Sequence, residues 1–156
     1  MTIYFGSDHR GFELKSKLID YLGEKGGYQI VDLGAENYNE NDDYVDFGVR
    51  VGESVVRDEG SLGVVLCATG VGISIAANKV KGVRCGLCWH KDLVFHSKQD
   101  DDINVLAIPS EYVTLRDTKE ILDTFLNTKF KSEQRYIKRI EKMNQFEQQQ
   151  MEKTND

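Results

Sequence analysis

The stretch Val64-Val65-Leu66-Cys67-Ala68-Thr69-Gly70-Val71-Gly72-Ile73-Ser74 decides the fold of this chain. The apolar residues Leu62, Val64, Val65 and Leu66 predict a strand buried on both faces. The strand ends at a thiol and opens into a Thr-Gly-Val-Gly turn. From Ile73 to Lys79 the chain then reads as the first turns of a helix. In an open α/β sheet, ligands collect at the carboxyl ends of the strands, where loops meet helix N-termini. Glycines let backbone N–H groups crowd around an anion at such a turn. A cysteine and a threonine there are placed to handle protons beside that anion.

Outward from this strand, apolar runs alternate with helical periodicity. Ile3–Gly6 is read as strand one, and Phe12, Leu14, Leu18, Ile19 and Leu22 as the apolar face of a helix closed by Gly26-Gly27. Tyr28–Leu33 is strand two, and a polar loop leads to a helix carrying Phe47, Val51, Val55 and Val56. Gly82–Cys88 is strand four, His90 to about Gln99 helix four, and Ile103–Ile108 strand five, stopped by Pro109. Helix five runs from about Val113 to Asn127. Five strands alternating with helices, most of them apolar inside, predict a parallel sheet covered on both faces. Residues 1–131 are expected to form one α/β domain. Residues 132–156 are expected to form a charged helix with a sparse stripe of Tyr136, Ile140, Met143 and Phe146, ending in the polar run Gln148-Gln149-Gln150 and a frayed tail. The stripe suits either the chain's own domain or a partner subunit, and the subunit interface is the expectation.

The 156 residues suit one domain, and the net charge of −6 makes nucleic acid and anionic membranes poor partners. No apolar run approaches the roughly 20 residues that span a bilayer. Met1–Gly6 leads into a strand without a cationic leader, and three cysteines do not suit a disulfide framework. A cytoplasmic protein is expected.

Cys67 reads either as a small buried apolar residue or as an activated thiolate serving as proton carrier or nucleophile. Asp8-His9 follows strand one, and the ends of strands one and three are usual neighbours, so Asp8, His9, Cys67 and Thr69 can share a crevice. The turn lacks both the Gly-Lys-Ser/Thr ending of a nucleotide loop and the three-glycine dinucleotide fingerprint. A small anion or an enolate oxygen fits it better. Cys85 and Cys88 lie three apart in an expected strand, on opposite faces and without a second ligand pair, which favours packing. Arg135 and Arg139, four apart, share one helix face as a solvated charge row or as a phosphate clamp.

Together, Gly6-Ser7-Asp8-His9-Arg10-Gly11, Asp43-Tyr44-Val45-Asp46-Phe47, Cys67 through Lys79 and Asn104-Val105-Leu106-Ala107 resemble the type B ribose-5-phosphate isomerase family, which includes the galactose-6-phosphate isomerase subunits. The resemblance implies a three-layer, Rossmann-like fold with a five-stranded parallel sheet and an extra C-terminal helix. It also implies a homodimer or tetramer and aldose–ketose isomerisation of a sugar phosphate without metal or cofactor. By that resemblance Cys67 moves the proton between C1 and C2. Thr69 and the loop Ala68, Gly70, Val71, Gly72 and Ser74 hold the enediolate. Asp8 binds a sugar hydroxyl or the ring oxygen, His9 lies near the phosphate, Tyr44 lines the pocket, and Arg135 and Arg139 match the family's paired arginines.

The chain departs from the family pattern where a His-Asn pair precedes strand five, since Asp100-Asp101 stands there. Asp100 then takes the ring-opening position and Asp101 the substrate contact, with His96 as the alternative for the former. Glu111 occupies a position where an arginine is common, and Ala68 one where glycine is. Ribose 5-phosphate is the default substrate. A hexose 6-phosphate of the galactose or allose type, an unphosphorylated sugar, or a weakly active subunit needing a homologous partner are the alternatives.

Overall fold

The computed structural model describes residues 1–154. Five strands, β1 (Thr2–Ser7), β2 (Gln29–Asp32), β3 (Leu62–Cys67), β4 (Cys85–Leu87) and β5 (Val105–Pro109), form one parallel sheet in the order β2-β1-β3-β5-β4. Helices α1 (Phe12–Lys25), α2 (Tyr44–Arg57), α3 (Val71–Ala77), α4 (Lys91–Asp101) and α5 (Leu115–Asn127) connect and cover them. The three-layer α/β architecture expected from the sequence is present, and α6 (Gln134–Thr154) is the extra C-terminal helix.

β3 is buried at every position, because both of its faces meet helices. Leu62, Val64 and Leu66 join one core with Leu18 and Leu22 of α1, Val94 of α4 and Ile121, Leu122 and Phe125 of α5. Val65 and Cys67 point the other way, into a core with Phe47, Val51 and Val55 of α2 and Ile73 and Ala77 of α3. The strand order reverses direction between β1 and β3, and a crevice opens at such a switch point beyond the carboxyl ends of the strands.

Several boundaries differ from the sequence reading. β4 is three residues long rather than Gly82–Cys88, because Gly82 turns the chain at φ +84° and Arg84 is taken by Asn104 Oδ1 at 2.8 Å. α4 starts later and continues to Asp101, with His90 as its N-cap, so Asp100 and Asp101 are helical. α5 starts at Leu115 because the Thr114 side chain accepts from the Asp117 N–H and caps it. α6 remains helical through Gln148-Gln149-Gln150 to Thr154, where a frayed tail was expected, and residues 155–156 lie outside the described residues. None of the described helices is long and apolar enough to cross a membrane.

α1 buries Lys15 completely, and its ammonium donates to Asp32 Oδ1 at 2.5 Å and to the Ala35 carbonyl at 2.8 Å. These bonds tie α1 to the end of β2 and to the loop beyond it. Asp32 is partly open to water and Lys15 is not, so the two truncations are unequal. Asp32→Ala strands a buried cation and is expected to cost about 2–3 kcal/mol, below the full cost of a wholly buried pair because the carboxylate was partly solvated. Urea unfolding at constant m-value measures this. Destabilisation by Asp32→Ala no larger than that of an ordinary surface substitution would contradict the assignment.

Candidate active site

β1 and β3 run side by side with Ser7 opposite Leu66, so the next residues along, Asp8 and Cys67, leave the sheet as neighbours. The turn after β1 presses closely on β3: a Cβ on Gly11 would meet the Leu66 carbonyl oxygen at 2.7 Å. The turn after β5 clamps the other side. Ser110 Oγ donates within 2.9 Å of both the Arg10 and the Cys67 carbonyls, while the Ser110 and Glu111 N–H groups reach Cys67 O and Ala68 O at 3.0 and 3.1 Å. Three loops from β1, β3 and β5 are thereby fixed around the sulfur.

Cys67 ends β3 with 4% of its surface exposed, on the side of the sheet covered by α2 and α3. The loop beyond it is shaped by Gly70, whose φ of +72° suits glycine. Thr69 is exposed, and its Oγ1 accepts from the Val71 N–H at 3.3 Å. The Ser74 N–H donates to Gly70 O and its hydroxyl to Val71 O, so both Ser74 donors are committed inside α3. Among the described residues, the N–H groups of Gly70, Gly72 and Ile73 have no protein acceptor. The anion-binding donors of the loop therefore narrow to these amides with Val71 beside them. Ser74 can offer only lone pairs.

Tyr44, the first residue of α2, lays its ring over the loop. A Cβ on Gly72 would stand 2.5 Å from the Tyr44 ring, so glycine at 72 is what admits it. On the other flank of Thr69, an apolar cleft of about 490 Å³ is lined by Leu87, Trp89, Pro109 and Tyr112. Neither Trp89 nor Tyr112 stood out in the sequence, because isolated aromatics outside a periodic pattern carry no signal there.

Asp8 is buried, and its Oδ1 accepts from the N–H groups of Arg10 and Gly11 at 3.0 and 3.1 Å. Burial pushes its carboxyl above the usual carboxylate range, and the two amide bonds pull it back only in part. His9 donates its backbone N–H to Asp42 Oδ1 at 2.9 Å, and its ring Nδ1 lies 2.7 Å from the same oxygen. Tyr38 packs edge-on to the His9 ring. Asp42 was not singled out in the sequence, where it is one acid in the run Asn39-Glu40-Asn41-Asp42-Asp43. Asp8, His9 and Asp42 carry ligand-type atoms within 4.8 Å of one another, but the hydrogen bond occupies Nδ1 and the group is a bonded dyad beside a carboxyl.

Asp100, Asp101, Arg135 and Arg139 are not brought to Cys67 within one chain. α4 leaves the carboxyl edge of the sheet and runs for 11 residues, about 16 Å, toward the amino edge. Asp101 there shares a recess with Arg139, Lys142, Met143 and Phe146 of α6. Arg135 and Arg139 both stack on the buried Tyr136 ring, at 4.5 and 5.9 Å from its centroid. His96 lies exposed in the middle of α4. Glu111 pairs with Arg10, so a guanidinium still stands at that edge of the site, delivered by the β1 turn. Cys85 and Cys88 are free thiols whose titration burial pushes up, in line with a packing role.

The model of the Ribose/Galactose Isomerase family matches residues 3–143. The chain belongs to that family. Ribose-5-phosphate isomerase B of Mycobacterium leprae is 36% identical over 147 residues, covering 94% of this chain and 90% of the relative. The Escherichia coli protein of the same name is 38% identical over 146 residues, covering 94% and 96%. Among solved structures, ribose-5-phosphate isomerase B of Clostridium thermocellum superposes with a TM-score of 0.91 at 40% identity, covering 96% of this chain and 99% of that one. The Mycoplasma genitalium enzyme, solved with bound ribulose 5-phosphate, gives 0.89 at 36% identity, covering 94% and 96%. Both relatives and both structures match along nearly their whole length, so the fold of this family member is that of the isomerases.

Proposed function

We propose that this protein interconverts ribose 5-phosphate and ribulose 5-phosphate through an enediolate. The observation that carries the reading is a thiol at the end of the central strand, followed by three unpaired backbone amides and flanked by a buried carboxyl. The Cys67 thiolate removes the proton from C2 of the open-chain aldose and returns it to C1. Charge builds on the adjacent oxygen, and the amides of Gly70, Gly72 and Ile73, with Thr69 at the rim, hold it without reorganising. Those donors supply what a Lewis acid would, and the reaction is proposed to run without a metal or other cofactor. Asp8 leaves one oxygen for the substrate, and a carboxyl raised by burial suits donation to the ring oxygen during ring opening. Tyr44 and the loop from Ala68 to Gly72 form the wall of the pocket, and His9 with Arg10 stands on the phosphate side.

The unit is proposed to be a homodimer or a tetramer, with residues 1–131 as the domain and α6 at the interface. Met143 and Phe146 of α6 remain exposed beside Arg139 and Asp101, at the far edge from Cys67. A second copy is what would carry Asp100 and Asp101 to the ring-opening end, and the arginine pair to the phosphate end, of a neighbour's site. Mixing Cys67→Ala with Arg139→Ala tests this. Two inactive proteins re-assorted after mild dissociation are expected to regain about a quarter of the activity, from mixed dimers with one intact site. No recovery would place the arginines elsewhere. Three free thiols and an acidic surface support a cytoplasmic setting.

A substrate panel tests the reaction itself. Ribose 5-phosphate is expected to turn over faster than galactose 6-phosphate, allose 6-phosphate or free ribose, in chelator as well as without it. A hexose phosphate winning the panel would favour the acids Asp100, Asp101 and Glu111 as specificity elements. Silence rescued by a homologous chain would make this a dependent subunit.

A further inference from the structure

Asp42 sits in the loop between β2 and α2, far in sequence from His9, yet one of its oxygens receives two donors from that residue. Oδ1 takes the His9 backbone N–H at 2.9 Å and lies 2.7 Å from ring Nδ1. The Asp42 side chain is 9% exposed, and its Oδ2 is buried without a partner. A carboxylate only accepts, so the proton of this contact belongs to Nδ1. The one ring atom then left for hydrogen bonding is Nε2, on a side chain that keeps 20% of its surface open. The charged and titratable groups facing the ring are Asp42 and Tyr38 from the β2–α2 loop and Asp8 from its own turn.

We propose that Asp42 is a positioning residue that locks the His9 ring with Nδ1 protonated, so that Nε2 can donate to the substrate phosphate only when the imidazole is a cation. This rests on the placement of His9 at the phosphate end of the site. The chemistry follows from the acceptor-only partner. In the neutral ring held by Asp42, Nε2 is a bare lone pair and repels an anionic oxygen. In the cation, Nε2–H donates, and the paired carboxylate offsets the charge and fixes the ring plane. Phosphate binding is therefore gated by one proton, and the gate is set from the loop between β2 and α2. Ala at 42 removes the gate, because nothing then holds the proton on Nδ1 and the neutral ring can carry Nε2–H.

The test uses the full chain and the variants Asp42→Ala, His9→Ala and their double. The readouts are kcat and KM on ribose 5-phosphate and Ki for inorganic phosphate, across about pH 5–8. In the parent protein KM and Ki are expected to rise together as pH increases. In Asp42→Ala both are expected to be raised by roughly tenfold at the acid end and to lose most of that pH dependence, with the change falling on KM far more than on kcat. The double variant is expected to match His9→Ala. Nitrogen-15 spectra of the histidine rings read the tautomer independently of activity and are expected to show His9 protonated at Nδ1. A parent ring protonated at Nε2 when neutral, or parent-like KM, Ki and pH profiles in Asp42→Ala while His9→Ala weakens phosphate binding, would overturn the role of Asp42. Unchanged KM and Ki in His9→Ala would instead overturn the placement of His9 at the phosphate.

Discussion

Cys67→Ala lowers kcat on ribose 5-phosphate by about 10²–10⁴-fold and leaves KM near its starting value. The expectation follows from where the sulfur stands. It ends a strand that is buried throughout, with 4% of its surface open, and it contributes nothing to the anion-binding donors. Removing it deletes the proton carrier and leaves the amides, Asp8, Tyr44 and His9 in place. The lost volume is small, and the cavity borders Val65, Ile73 and Ala107 of the same core, so folding is preserved. Steady-state kinetics with circular dichroism on the variant measures both. A variant that folds normally and still turns over at the parent rate would remove Cys67 from the chemistry.

Gly70→Ala is the second large effect and acts on the donors instead. The residue has φ +72°, and an added Cβ would lie 2.4 Å from Leu87 Cδ1 and 3.1 Å from the Pro109 nitrogen. A leucine tip can move aside, but the backbone of β5 cannot. Left-handed strain and overpacking together are expected to cost about 2–4 kcal/mol. The loop can escape only by rotating its amides away from the anion, so kcat is expected to fall by at least about tenfold as one donor is misaimed. Thermal unfolding and kinetics on the same preparation separate the two losses. Parent-like stability would contradict the close approach, and parent-like kcat would contradict the amides as donors.

The central strand and its loop were legible because an uninterrupted apolar run followed by Thr-Gly-Val-Gly has few structural solutions. β4 was overread for the opposite reason. Val83 and Cys88 are buried without belonging to the strand, and Asn104 spends its side chain on Arg84 N and Gly82 O, closing the chain where the sequence suggested more pairing. The length of α4 was underread because acids at a helix C-terminus oppose the dipole, yet Lys98 pairs with Asp102 and offsets them. That extension decides where Asp100 and Asp101 lie. The link between Asp42 and His9 had no signal in the sequence at all. It depends on a polar loop folding back over β1, and hydrogen bonds between distant loops leave no periodicity to read.

The most direct measurement is the isomerisation of ribose 5-phosphate in deuterium oxide, followed by proton and deuterium NMR of the product. A thiol that carries the hydrogen exchanges with solvent between the two carbons. Deuterium is therefore expected at C1 of ribulose 5-phosphate, at a rate that disappears in Cys67→Ala. Product formed by Cys67→Ala at the parent rate, with deuterium still entering C1, would contradict a proton carried by Cys67.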